Sequence, residues 1–288
     1  MKPDAPMLAI GLPVYNGAAF ISQTIQSILA QTFKDFSLII SDNASTDATQ
    51  EICESFARQD SRIVYFRQKS NQGINKNASQ VLVLSKKAKY FALIGHDDIW
   101  EPTFSEKIIA EMEKNSEISV GFSLYDFIDE KGSKREMDEY VQSIDHVLAM
   151  KKMSRRERIS FQSSSNFIHG VIRRAVLFDD LFLFRRGIYE DVYCLRYLAG
   201  LGPFFVVPES LFKKRIHKQN YSSSAQHKQE HQSTNCAEAT RELTKLLKLS
   251  LWERLSLYYS LFSYFHLYRP LLGQIKRVIR LMSSSIRS

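Results

Sequence analysis

Leu8-Ala9-Ile10-Gly11-Leu12-Pro13-Val14-Tyr15-Asn16-Gly17 is a short apolar run that breaks into polar and turn-forming residues, and its reading decides the fold. The same change recurs three times before residue 101: Phe36–Ile40 leads to Asp42-Asn43, Arg62–Phe66 to the stretch Asn71–Asn77, and Tyr90–Ile94 to Asp97-Asp98. Apolar runs this short, bounded by turn formers, read as buried strands. The segments between them have helical spacing. Ile21, Ile25, Ile28 and Leu29 form one stripe, Ile52 and Phe56 anchor a second helix that Ser45 or Thr46 can cap, and Val81, Leu82 and Leu84 mark a third. Strands alternating with helices predict an α/β fold with a mostly parallel central sheet and helices on both faces. Ligands in such sheets sit beyond the carboxyl ends of the strands, where the strand order reverses, so the four polar clusters form the candidate site.

Composition narrows the class. A chain of 288 residues, 44% hydrophobic and 24% charged, fits one large globular domain or a domain with an appendage. The three cysteines, Cys53, Cys194 and Cys236, are widely spaced with no CxxC pair, which suits free thiols in a reducing cytoplasm and argues against a disulfide framework or a zinc site. The N-terminus from Met1 to Pro6 is short and polar, and no signal peptide is expected. The formal charge is +8, yet Arg241 to Ser288 holds nine Lys/Arg against two Glu, so the body is close to neutral and a general nucleic-acid binder is excluded.

Further along, strands are expected at Val120–Ile128 and Asn166–Ile172, a surface loop at Asp129–Glu139, and an exposed helix face carrying Arg155, Arg156 and Arg158. Glu190-Asp191 opens a helical stretch closed by Gly200 and Gly202, and the polar region Lys218–Glu238 reads as a loop.

Each polar cluster has a plain reading and a chemical one. Asp97-Asp98, directly after a buried strand, repel each other unless a cation or donor hydrogens neutralise them; Mg²⁺ or Mn²⁺ with substrate phosphates fits that need, and so does a helix N-cap with a first-turn acid. Asp42 is either a turn residue or an acceptor for the ring N–H of a uracil-type base, with Tyr15 or Pro13 covering the ring face. Glu190-Asp191 favours a helix dipole or supplies a general base. Arg215-Ile216-His217 is either solvated or presents a cation and an imidazole to a diphosphate.

Together these segments resemble the family-two glycosyltransferases of GT-A fold. Leu12-Pro13-Val14-Tyr15-Asn16 resembles the opening strand and loop, Ser41-Asp42-Asn43-Ala44-Ser45-Thr46-Asp47 the second-strand signature, and Asn71-Gln72-Gly73 with Asn77 the third. His96-Asp97-Asp98 is similar to the metal motif, Glu190-Asp191 to the catalytic-base motif, and Arg215-Ile216-His217 to the downstream basic motif, in order over roughly residues 7–220. The resemblance implies an inverting glycosyltransferase using Mn²⁺ or Mg²⁺ and a nucleotide-diphosphate sugar, a UDP-sugar in first place, in surface polysaccharide or glycan synthesis. It gives Asp97 the metal, Asp191 the acceptor proton, and Pro13, Tyr15, Asn16, Asp42, Gly73, Asn77, Asp98, Trp100, Arg215 and His217 the donor, with Trp100 lining the sugar pocket. One position departs: the metal motif commonly reads Asp-x-Asp-Asp, and Gly95 stands where the first Asp would be. Gly95 also supports the alternative of a degenerate nucleotide-sugar-binding or scaffold protein. A nucleotidyltransferase is disfavoured because Pro13–Gly17 holds a single glycine, and a dehydrogenase because GxGxxG is absent.

The expected domain division is a glycosyltransferase domain over 1–220 and an extension over 221–288. From Leu255 to Tyr268 there is no Asp, Glu, Lys or Arg, which is too short a run to span a bilayer needing about 20 residues. Leu257, Tyr258, Leu261, Phe262, Phe265 and Tyr268 form a helical stripe followed by Arg269, Lys276, Arg277 and Arg280. That pattern fits a helix lying on an anionic membrane surface, beside a lipid-linked saccharide acceptor and at the inner membrane face, and equally a helix packed on the domain or on a second subunit in an oligomer.

Overall fold

The computed structural model describes residues 5–85, 87–135, 152–160, 168–177, 190–218, 243–244 and 247–257. The first half alternates as the sequence predicts: β1 (Leu8–Val14), α1 (Ile21–Leu29), β2 (Phe36–Asp42), α2 (Thr49–Gln59), β3 (Ile63–Arg67), α3 (Ile74–Leu84) and β4 (Tyr90–Leu93). Then come β5 (Ile99–Trp100), α4 (Phe104–Lys114), β6 (Val120–Ile128), β7 (Lys134–Arg135), α5 (Arg155–Ser160), β8 (Val171–Arg173), α6 (Glu190–Leu201) and β9 (Phe204–Arg215). The strands form one sheet in the order β3-β2-β1-β4-β8-β6-β9-β5, with β7 added to β6.

Strands β3, β2, β1 and β4 run parallel, as expected. Beyond them the sheet is mixed: β8 is antiparallel to both β4 and β6, β9 runs parallel to β6, and β5 is antiparallel to β9. The chain builds outward from β1 to β3 and then returns to the opposite side of β1 with β4. The crevice required at a strand-order reversal therefore lies at the carboxyl end of β1, between β2 and β4.

The core is built from strand residues buried by their apolar chemistry, among them Leu8, Ile10, Leu12, Leu38, Ile40, Tyr90 and Phe91, with Ile21, Ile25, Val81, Ile108 and Met112 from the covering helices. Gly11 lets α3 lie close to β1, since a Cβ there would fall 2.7 Å from Val81 Cγ2. Pro13 sits inside β1 without costing a ladder bond. Its nitrogen faces the β4 side of the strand, as the alternating bonds Asn43 N–H to Val14 O and Ile94 N–H to Gly11 O establish, and the β1–β4 pairing has already ended at Gly11.

Strand β9 was not expected. Its sequence contains Pro208, which cannot donate in a ladder, and the register slips there: Val207 faces Ser123 while Ser210 faces Leu124, so Pro208 and Glu209 bulge out of the pairing. The expected exposed face of α5 also differs. Arg155 donates to the carbonyls of Gly200 and Leu247 and pairs with Glu253, and Arg158 donates to Ala199 and Met153, leaving Arg156 exposed. These bonds clip α5 to α6 and to the helical residues 251–257, whose Leu257 is buried. The start of the tail is thus packed on the domain; residues 258–288, and all of the expected loop Lys218–Glu238 beyond residue 218, lie outside the described residues. Among the described residues no helix is long and apolar enough to cross a membrane.

Asn77 locks the ends of β1 and β2 together. Its Oδ1 accepts from Ser41 Oγ at 2.7 Å, and its Nδ2 donates to Ser41 O at 2.8 Å and Val14 O at 3.3 Å, all buried. Asn77→Ala leaves a buried hydroxyl and two carbonyls short of partners and is expected to lower the unfolding free energy by about 2–3 kcal/mol in urea denaturation. A loss below about 0.5 kcal/mol would show that these bonds do not hold the strand ends.

Candidate active site

The site grows from the loops at the carboxyl ends of β1, β2, β3 and β4. Asn16, with φ 50°, turns the chain after β1. It is stitched to the β2 loop by Asn16 N–H to Ser45 Oγ (2.9 Å) and Thr46 N–H to Asn16 Oδ1 (2.8 Å), while Gly17 N–H donates to Thr49 Oγ1 (2.8 Å). Tyr15, next to this turn, is 43% exposed. The β3 loop is fastened in turn: Asn43 Nδ2 donates to Asn71 Oδ1 (2.8 Å) and to the carbonyl of Gly73 (3.3 Å), Gln72 N–H donates to Asn43 Oδ1 (2.8 Å), and Gly73 has φ 83°. Gly73 and Asn77, expected to touch the donor, thus act in the structure by shaping the loop and the strand ends.

Asp97 and Asp98 lie in the tight turn between β4 and β5. Thr24 of α1, fully buried, shares its hydroxyl hydrogen between the carbonyls of His96 and Asp98, 2.9 Å from each. Asp97 Oδ2 meets His217 Nε2 at 2.8 Å, and the imidazole is backed by Phe20 at 4.8 Å between ring centroids. Asp98 Oδ1 accepts from the backbone N–H of Arg215 at 3.0 Å. Burial and the neighbouring Asp97 charge push the Asp98 carboxyl up to about 7. Burial also works against the Asp97 charge, but His96 and the His217 hydrogen bond outweigh it and hold that carboxyl below its ordinary value. His96 itself is pushed down by burial.

The two carboxylates converge on the space that a side chain at position 95 would fill. A Cβ on Gly95 would lie 2.8 Å from both Asp97 Oδ1 and Asp98 Oδ2. Oxygens gathered this closely beside a histidine suit a hard divalent cation that takes its remaining ligands from phosphate and water. Among the described residues there is no group of three or more His, Cys, Asp and Glu that could hold a metal ion. The site fits an open Mg²⁺ or Mn²⁺ position, where protein supplies few ligands and the substrate supplies others.

Two expected donor contacts are placed elsewhere. Arg215 is buried: Nε donates to Asp97 O (2.9 Å), Nη1 to Asp129 O (2.9 Å) and Glu130 O (3.1 Å), Nη2 to Gln23 Oε1 (2.8 Å), and its guanidinium stacks 4.7 Å from the Phe20 ring. It braces the metal-motif turn instead of reaching a diphosphate. Trp100 is 1% exposed and stacked on Phe104 at 4.3 Å, because β5 pairs with β9 and turns its indole into the core, so it does not line an open sugar pocket. Asp42 is fully buried, its carboxylate accepting from Ser45 N–H, Tyr65 Oη and Arg67 Nη1. Glu190 and Asp191 open α6 at its amino end, but their side chains lie outside the described residues.

Sequence reasoning missed Thr24 and Gln23 of α1 and Phe20 just before it, which hold the His96 and Asp98 carbonyls, Arg215 and the His217 ring respectively. No local signal marks them, since their neighbours are about seventy or more residues away. Arg67 had a usable signal, its place at the end of β3, the same strand-end rule that selects Asp42.

The sequence pattern of Glycosyl transferase family 2 matches residues 9–192. Similar curated proteins include an uncharacterized glycosyltransferase of Methanocaldococcus jannaschii, 28% identical over 223 residues that cover 76% of this chain and 74% of that protein. Another is an uncharacterized glycosyltransferase of Rickettsia prowazekii, 29% identical over 248 residues, 84% of this chain and 74% of the other. Among solved structures, S. aureus TarS in complex with UDP superposes with a TM-score of 0.64 at 16% identity, covering 91% of this chain and 73% of that one. The mannosyltransferase PcManGT from Pyrobaculum calidifontis in complex with GDP-Man and Mn²⁺ gives 0.51 at 13% identity, covering 97% and 81%. At these identities the structural likenesses establish the GT-A fold.

The convergence on Gly95 carries a test. Gly95→Ala forces the Asp97 and Asp98 oxygens apart while His217 and Arg215 hold the same two carboxylates, an overpacking expected to cost about 1–3 kcal/mol of unfolding free energy in denaturant titration. Unchanged stability would mean that the two side chains move aside freely.

Proposed function

The chain belongs to glycosyl transferase family 2, and from that premise we propose that it is an inverting, metal-dependent enzyme transferring a sugar from a nucleotide-diphosphate sugar to an acceptor hydroxyl. The observation that carries this reading is the convergence of the Asp97 and Asp98 oxygens, braced by His217 and the Arg215 backbone, at the strand-order reversal. UDP-sugars come first as donors, supported by TarS in complex with UDP and UDP-GlcNAc. PcManGT in complex with GDP-Man and Mn²⁺ supports the pairing of a sugar nucleotide with a divalent cation.

Asp97, together with Asp98, would hold the cation, and His217 fixes the Asp97 carboxylate by its hydrogen bond. Mn²⁺ or Mg²⁺ there would supply positive charge against the departing diphosphate. Tyr15 and Pro13 cover the base and ribose, and the Asn16 turn shapes the loop that receives them. Asp191, at the amino end of α6, takes the proton from the acceptor hydroxyl as its oxygen attacks the anomeric carbon. The bond from that carbon to the diphosphate oxygen breaks with its electron pair going to the diphosphate, and the configuration inverts. The acceptor is a saccharide or lipid-linked saccharide of surface polysaccharide synthesis. The apolar stripe from Leu257 to Tyr268 and the basic residues Arg269, Lys276, Arg277 and Arg280 favour peripheral work at the anionic inner face of a membrane.

Calorimetric binding of a panel of nucleotide sugars, with Mn²⁺, Mg²⁺ or chelator, tests the reading. One donor is expected to bind only with metal and to lose that binding in Asp97→Ala, while Asp191→Asn keeps donor binding and loses at least about 10²-fold in transfer rate. Failure of every donor in well-folded protein would favour the degenerate scaffold that Gly95 suggests. Normal turnover by Asp191→Asn would remove Asp191 as the base.

A further inference from the structure

Helix α5, the carboxyl end of α6 and the helical residues 251–257 meet at one edge of the domain. Arg155 joins them through the carbonyls of Gly200 and Leu247 and the Glu253 carboxylate, and Ser160 and Ser256 share a hydroxyl bond at 2.5 Å. Ser250 and Glu253 cap the last of these segments reciprocally: Ser250 N–H donates to Glu253 Oε2 at 2.8 Å and Glu253 N–H to Ser250 Oγ at 3.4 Å. On the turn fixed in this way Leu251 is 47% and Trp252 56% exposed, and Leu201, which follows Gly200, is 42% exposed. Scattered exposed apolar residues need no explanation, but these three belong to one junction, while Leu257 of the same helical segment is buried. The charge there is one-sided. Residues 152–160 and 247–257 hold Lys152, Arg155, Arg156, Arg158, Lys248 and Arg254 against Glu157 and Glu253. Both acids are already engaged, Glu157 by the Ser154 N–H and hydroxyl and Glu253 by Ser250 and Arg155. Lys152, Arg156, Lys248 and Arg254 are exposed, and the Arg156 guanidinium lies 5.9 Å from the centre of the Trp252 ring. In sequence, residues 258–288 add five Lys/Arg and no Asp or Glu directly after this edge.

We propose that this edge of the folded domain docks on an anionic lipid surface, with Leu251 and Trp252 entering the headgroup layer and Arg156, Lys248 and Arg254 facing the lipid phosphates. This rests on the reading above that the protein works at an anionic membrane face, and it puts the contact on the domain itself as well as on the tail. A tryptophan flanked by cations suits a partner that is anionic at its surface and apolar just beneath. Each Lys or Arg brought to such a surface adds to the attraction. A second copy of this chain fits less well, because a two-fold contact at this edge would set the same cations against each other.

The chain has two tryptophans, and Trp100 is 1% exposed, so a fluorescence change on contact with a surface reports Trp252. The full chain is titrated with vesicles of phosphatidylglycerol and phosphatidylcholine, with and without brominated acyl chains, and with phosphatidylcholine alone. Binding to the anionic vesicles is expected to be at least about tenfold tighter than to the neutral ones, with Trp252 emission shifted to the blue and quenched by bromine. The double variant Arg156→Gln/Arg254→Gln, which changes only exposed side chains, is expected to bind the anionic vesicles about tenfold more weakly. Tight binding to anionic vesicles with Trp252 emission unchanged, or undiminished in the double variant, would overturn the inference and leave membrane contact to the tail. Absence of binding to any vesicle would overturn both the inference and the membrane reading. Concentration-dependent protection of Trp252 from acrylamide without vesicles would put a second copy on this edge and overturn the inference.

Discussion

Two adjacent carboxylates, Asp98 buried and Asp97 partly so, are the constraint around which the site is arranged. Asp97 and Asp98 lose hydration by lying in the turn after β4, and ionised groups so placed need compensation from fixed donors or a cation. The protein supplies part of it. His217 takes one oxygen of Asp97, the Arg215 backbone takes one of Asp98, and the Arg215 guanidinium binds the Asp97 carbonyl from inside. The remaining oxygens, converging over Gly95, are where a divalent cation would complete the neutralisation.

That requirement explains features of the sheet that have no meaning separately. Strand β9 must run parallel to β6 and pair with β5 so that Arg215 and His217 arrive beside the metal-motif turn, although they lie more than a hundred residues from it in sequence. The bulge at Pro208 and Glu209 preserves that pairing through a proline. Helix α1 and the residue before it contribute from the other side: Thr24 anchors two carbonyls of the turn, Gln23 holds Arg215, and Phe20 backs both His217 and the guanidinium. Loops of this kind, fastened to one another by side-chain to backbone bonds, keep a polar site in shape before a ligand arrives.

The parallel half of the fold was legible because its signal is local. Apolar runs ending in Asp, Asn and Gly marked β1, β2, β3 and β4 to within a residue or two, and β6 matched its expected span. The antiparallel insertion of β8 and the whole of β9 were not, since pairing direction depends on distant partners and Pro208 reads as a strand breaker. Site residues divided along the same line. Asp97 and His217 meet through a hydrogen bond, Asp98 lies beside Asp97, and Asn16 joins the β2 loop through Ser45 and Thr46. The motifs carry no information on burial, and burial is what turns Arg215 into a brace, Trp100 into a core residue and Asp42 into the anchor of Arg67.

The most direct measurement is diffraction from crystals grown with UDP and Mn²⁺, collected at an energy where manganese scatters anomalously. The expected result is one manganese peak about 2.0–2.3 Å from an Asp97 carboxylate oxygen, with diphosphate oxygens completing its shell. Nucleotide bound at the strand ends with no manganese there, or with manganese held away from Asp97, would contradict the claim that these carboxylates exist to bind a metal–diphosphate.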